Sequence, residues 1–123
     1  MTRNNLDDYL DSLNPQQRQI HDTIRGLVKS VYPQVLEVLF ARQPYFYLPQ
    51  YETIKFHHRP SIMMAFFHDH VNVFTLANRA HEEQLKEYEF TEKHTMQIKL
   101  DQHLDLVKLS SLFRDALDQP HQD

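Results

Sequence analysis

The chain has 123 residues, 41% hydrophobic and 24% charged, with a formal net charge of −4; that length and balance suit one domain with an ordinary core. Its only glycine is Gly26 and it has no cysteine. Those two counts exclude glycine-rich phosphate loops, thiol nucleophiles, zinc ribbons, cysteine-held iron–sulfur clusters and disulfides.

In chain order, Leu6, Leu10 and Leu13 recur at helical spacing and predict a short amphipathic turn or two. Asn14-Pro15-Gln16-Gln17 then reads as a helix start, with Asn14 as cap, Pro15 in the first turn and Gln17 completing a capping box. Ile20, Ile24, Leu27, Val28 and Val31 follow on one face, and Pro33 ends the helix. The middle of the chain reads as sheet. Val35 to Phe40 is strand-like but ambiguous in period, and Pro44 and Pro49 bracket Tyr45 to Leu48, expected at a sheet edge or turn. Tyr51 to His57 alternates as a strand would. Ile62 to Phe67 and Val71 to Leu76 predict two strands joined as an antiparallel hairpin through His68-Asp69-His70. A charged helix is expected from Asn78 to Glu89, with Ala80, Leu85 and Tyr88 as its apolar contacts. Thr95 to Leu100 alternates as a half-buried strand, and Leu104 to Leu117 closes as a helix with Leu106, Leu109, Phe113 and Leu117 inward. Pro120 and a polar tail end the chain. The predicted class is a single α+β domain over 1–123, helices against a largely antiparallel sheet.

The opening Met1 to Asp8 carries no apolar signal-peptide core, and no apolar run nears the ~20 residues of a membrane helix. With no cysteine, the expected location is cytoplasmic. Scattered Lys and Arg in an acidic chain lack the footprint of a nucleic-acid binder. Neither membrane nor nucleic acid is an expected partner.

Three groups of residues carry candidate chemistry. Asp7, Asp8 and Asp11 fall in the first helical region, with Asp7 and Asp11 four apart on one face. Clustered carboxylates suit hard cations such as iron, and Asp is equally what a solvated helix start favours. His68 and His70 flank Asp69; on a strand, residues two apart share a side and two imidazoles converge on a metal. A polar hairpin turn accounts for the same pattern. The third group is Pro44, Tyr45 and Tyr47, with Arg59, which suits a small-ligand or protein-interaction surface. Aromatics and Met at strand spacing also fill cores or cover a homodimer contact. Ser110 and Ser111 sit on a helix without the strained turn that exposes a nucleophile. A binding protein rather than an enzyme is expected.

The Tyr9-Leu10 turn, the Asn14-Pro15 helix and Pro44-Tyr45-Phe46 occur in the order found in the YdhG-like family of small bacterial proteins. The Ile62 to Phe67 strand, Lys93-His94-Thr95-Met96-Gln97-Ile98 and the closing helix continue the pattern, so the chain resembles that family from about Leu6 to Leu117. Many members have no known function, and some are described as frataxin-like intracellular iron chaperones. The resemblance implies a frataxin-like two-layer sandwich, its antiparallel sheet packed against N- and C-terminal helices. It implies iron held weakly by carboxylates and passed to iron–sulfur or haem assembly proteins, with no tightly bound cofactor. The chain departs from the family at two places. Arg42-Gln43-Pro44-Tyr45-Phe46 stands where the family has a Gly-Met-Pro-x-Phe-like run, and Arg59-Pro60-Ser61 where it has Lys-x-His. Arg42 and Ser61 alter any site built there, while Arg59 keeps the charge.

Overall fold

A computed structural model describes residues 5–118. Pro120 and the tail after it, like the first four residues, lie outside the described residues. The helices are α1 (Asn5–Asp11), α2 (Pro15–Val31), α3 (Asn78–His81) and α4 (Leu106–Asp118). The strands are β1 (Leu36–Phe40), β2 (Gln43–Tyr47), β3 (Ser61–Phe66), β4 (His70–Phe74), β5 (Glu89–Phe90) and β6 (Met96–Lys99). They form one sheet in the order β1-β2-β3-β4-β6-β5, every neighbouring pair antiparallel.

The start of α2 follows from its sequence. Asn14 Oδ1 accepts from Gln17 N at 2.8 Å, and Gln17 Oε1 accepts from Asn14 N at 2.9 Å, a reciprocal capping box with Pro15 in the first turn. The same Gln17 donates through Nε2 to Phe67 O, tying the helix start to the β3–β4 turn. Ile20, Ile24 and Val28 of α2 and Leu109, Leu112, Phe113, Ala116 and Leu117 of α4 are buried. They pack on Phe46, Ile62, Met64, Val71, Val73, Met96 and Ile98, which come from four adjacent strands. Strand alternation puts those side chains on one face of the sheet, so both long helices cover the same face.

Several expectations are corrected. Tyr45 to Leu48 is not at an edge: β2 lies between β1 and β3. Pro44 is tolerated because it pairs with Leu39 of β1, while the pairing with β3 begins only at Tyr45↔Met63. Tyr51 to His57 is not a strand. A 3-10 turn, Pro49–Tyr51, leads into further local turns closed by Ile54 N to Tyr51 O and His58 N to Lys55 O. The charged helix stops at His81; Leu85 and Tyr88 are buried in turns that lead to β5, and Ala77 is buried in place of the exposed Ala80. Too few apolar positions recur there to reward a longer helix. Leu106, at the first turn of α4, is 49% exposed rather than inward.

The β1–β2 hairpin turns through Ala41 and Arg42, with φ of 52° and 63° and Phe40 paired to Gln43. A two-residue turn with both φ positive matches the twist of the strands and favours Asn-Gly. Arg42 therefore holds a backbone that glycine adopts freely, which accounts for the glycine at this position in the resembled pattern. Replacing Ala41→Asn together with Arg42→Gly is expected to raise unfolding stability by about 1 kcal/mol. Urea unfolding of the two proteins measures it; an unchanged or lower midpoint contradicts the strained turn.

Candidate functional site

The sheet face away from the helices is only partly covered. Leu36, Val38 and Phe40 of β1 stand on it, each 37–38% exposed. Across the pairs Leu36↔Tyr47 and Val38↔Tyr45, Tyr45 and Tyr47 share that side, as do Met63, Phe74 and Asn72 by alternation. The loop after β2 folds back over one end. Phe56 stacks on Phe40 with centroids 4.6 Å apart and reaches Tyr45 at 5.9 Å. Arg59 sits over the Tyr47 ring, 5.0 Å from its centroid, and donates to Ile54 O and Glu52 O. Arg59 thus acts as a clasp for this loop. Tyr47 donates its hydroxyl to Glu52 at 3.1 Å. Burial, then that hydrogen bond to a carboxylate, raise its pKa above the ordinary tyrosine value.

Beside this aromatic cover lies an open cavity of about 360 Å³. Its apolar wall is Phe56, Met63, Phe74 and Leu76 with the Tyr45 ring; its polar wall includes His57, Lys93 and His94. Tyr45 is 1% exposed and its hydroxyl has no hydrogen-bond partner among the described residues. Asn72 Oδ1, on the same face, is likewise unpartnered among them. A buried polar atom left so costs about 1–3 kcal/mol.

The His94 side of the cavity is built with strain. His94 has φ of 66°, and Nδ1 of its ring pairs with Glu82 Oε2 at 2.5 Å. The buried Asn78 side chain donates to Val73 O at 3.0 Å and to His94 O at 2.8 Å, while Thr75 donates to Asn78 Oδ1 at 2.7 Å. The bond to His94 O reaches the turn directly and the other two fix Asn78, so the turn is held at a backbone angle that a non-glycine residue takes at a cost of about 1–3 kcal/mol.

A second, larger groove of about 780 Å³ runs between α2 and the β6–α4 connection, lined by residues such as Gln16, Gln19, Asp101 and His103. Tyr45, with its unpartnered hydroxyl, lines the smaller cavity and not this groove. The smaller cavity is the better candidate.

Of the residues singled out from sequence, Tyr45 lines the cavity. Tyr47 and Arg59 frame the loop beside it, and Pro44 alternates toward the helix-covered side. Asp7, Asp8 and Asp11 are exposed on α1, and Asp11 pairs with Arg18 at 3.4 Å. His70 begins β4, while His68 lies in the turn, so strand alternation does not carry both to one side. Nδ1 of His70 pairs with Asp69 at 2.6 Å, and its ring stacks on Phe67. The hydrogen bond to His70 holds the Asp69 carboxyl below its usual pKa. Among the described residues no group of three or more His, Cys, Asp or Glu side chains is placed to hold a metal.

Sequence reasoning also missed a polar group on the helix-covered side. His21 is fully buried, with Nε2 2.7 Å from Glu37 Oε2 and Nδ1 2.9 Å from Asp22 Oδ1. Arg25 donates to Glu37 Oε1 at 2.6 Å. Burial alone would raise the Glu37 pKa; hydrogen bonds and charge from His21 and Arg25 outweigh it and hold the carboxyl below its ordinary value.

An antiparallel six-stranded sheet with both long helices on one face defines an α+β sandwich, and a solved structure shares it. The crystal structure of YdhG, a DUF1801-family protein from Bacillus subtilis, superposes with a TM-score of 0.67 over 88% of this chain and 84% of that one, at 20% identity. At that identity the likeness establishes a common fold. No family model matches the chain, and no curated protein does. Among the described residues, no helix is long and apolar enough to cross a membrane.

The depressed Glu37 contributes stability fully above its unfolded pKa of about 4.3 and loses it as pH falls through the lower folded value. Glu37→Gln is therefore expected to cost about 3 kcal/mol near neutral pH, by leaving the Arg25 guanidinium without its counter-charge and His21 Nε2 without its carboxylate partner. The gap to the unsubstituted protein should narrow below pH ~4.3. Urea unfolding from pH 7 to 3 measures it; a gap constant across that range contradicts the assignment.

Proposed function

We propose that this chain is a non-catalytic binding protein that holds a small, largely apolar molecule in the cavity on the outer face of its sheet. One observation carries the reading: a partly open apolar cavity of about 360 Å³ abuts a buried tyrosine whose hydroxyl lacks a partner among the described residues. The volume lies in the range of small-molecule sites, and apolar walls with few polar groups are their usual make-up. A ligand that displaces the exposed Phe56 ring gains apolar contact and reaches Tyr45. The strained turn at His94, held by the buried Asn78 side chain, supports the same reading, because backbone strain persists where the surrounding structure is built to hold a site. A YdhG-like, cytoplasmic protein is the setting we infer, on the shared fold and the sequence resemblance.

A second reading, a frataxin-like carrier of weakly held iron for iron–sulfur or haem assembly, rests on that resemblance and on the exposed Asp7 and Asp8. It has less geometric support, since Asp11 is engaged with Arg18.

The neutral fluorophore N-phenyl-1-naphthylamine separates the two. Saturable binding to the native protein is expected, weakened about tenfold by Leu76→Glu, which sets a charge in the apolar wall. Leu76 is 48% exposed, so the fold tolerates the change. Absent binding, or binding indifferent to the substitution, removes the cavity reading. Anaerobic Fe(II) binding that falls in an Asp7/Asp8/Asp11→Asn variant would install the carrier instead.

A further inference from the structure

Among the described residues that line the cavity, a lysine is the one side chain with a fixed charge. Lys93, His57 and His94 line it, and among the described residues no Asp or Glu does. This is notable in a chain with 17 acidic and 13 basic residues other than histidine. The Glu82 carboxylate is taken up by a hydrogen bond with Nδ1 of His94. Lys93, which is exposed, is the cationic group at the cavity's polar side, where the His57 ring also stands. Opposite them in character are Phe56, Met63, Phe74 and Leu76. Apolar surface at one side and uncompensated positive charge at the other match a molecule built the same way.

We infer that the ligand is a monoanionic amphiphile, an aromatic or short aliphatic carboxylate, with its apolar body against Met63 and Phe74 and its carboxylate at Lys93. This rests on the cavity reading above and names its ligand class. A neutral molecule would use the apolar wall but leave the lysine without a partner. A cation would meet like charge and lose solvation without compensation. An ammonium-to-carboxylate hydrogen bond contributes more than a neutral one, while salt weakens it.

The test compares 2-naphthoate with its neutral counterpart 2-naphthamide, followed by amide chemical-shift titration of the full chain. Lys93→Met serves as the variant, since Lys93 is exposed in a turn and outside the core. The expected result is shifts centred on Met63, Phe74 and Thr95, with naphthoate bound about tenfold more tightly than the amide. That preference should vanish in Lys93→Met and shrink as salt is raised. Equal affinities at the same amides would overturn the anionic assignment and leave the cavity reading standing. Naphthoate shifts centred elsewhere, with naphthamide still at the cavity, would do the same. If neither probe moves cavity amides, both inferences fall together.

Discussion

Two long helices and six strands cannot cover two faces of a sheet. In this fold α2 and α4 both pack on the same side, and the rest of the molecule follows from that allocation. The covered face is closed by buried aliphatic side chains and Phe46 and Phe113. On the opposite face the 48–60 connection lies coiled in local turns over one end of the sheet. Its aromatic residues cap the β1–β2 end, where Phe40, Tyr45 and Phe56 stack in succession. Beyond Phe56 the cover stops and the cavity opens. A binding site here is the uncovered remainder of the sheet, shaped by Arg59 on one side and the pinned turn at His94 on the other.

The two faces also handle polar groups differently. On the covered face, burial of Glu37 is offset by two partners, His21 and Arg25, and His21 is held in turn by Asp22. Both nitrogens of His21 meet carboxylate oxygens, a geometry fully satisfied only when the ring donates from each. Such a network costs desolvation, and its hydrogen bonds tie Glu37 of β1 to His21 and Arg25 of α2. On the outer face the Tyr45 hydroxyl and Asn72 Oδ1 have no such compensation among the described residues. An unsatisfied group beside a cavity is where an arriving molecule gains most.

Much of the covered face was legible in the sequence. The Asn14–Gln17 capping box, the Ile20, Ile24 and Val28 stripe, the β3–β4 hairpin and the inward side of α4 follow from spacing alone. His21 was legible too: it stands three residues before Ile24 and seven before Val28, on the buried stripe. The outer face was not. Tyr51 to His57 alternates like a strand, yet the prolines around it and the stacking of Phe56 on Phe40 turn it into a cover. The cavity draws on residues 45, 56, 57, 61, 63, 74–76, 78 and 93–95, which no local pattern connects. Asn78 looks like a helix cap from its neighbours, whereas its side chain acts across the fold on His94 and Val73. Long-range placement of this kind becomes visible only when strand register is known.

Methionine methyl spectroscopy offers the most direct check, because neighbours in the sequence report on opposite faces. Met63 lines the cavity, while Met64 and Met96 are fully buried beneath the helices. With methyl-labelled methionine and a panel of small aromatic fragments, the account predicts saturable shifts at Met63 with Met64 and Met96 nearly unmoved. Shifts led by Met64 or Met96, or none at any of the three, would contradict a ligand cavity on the outer face.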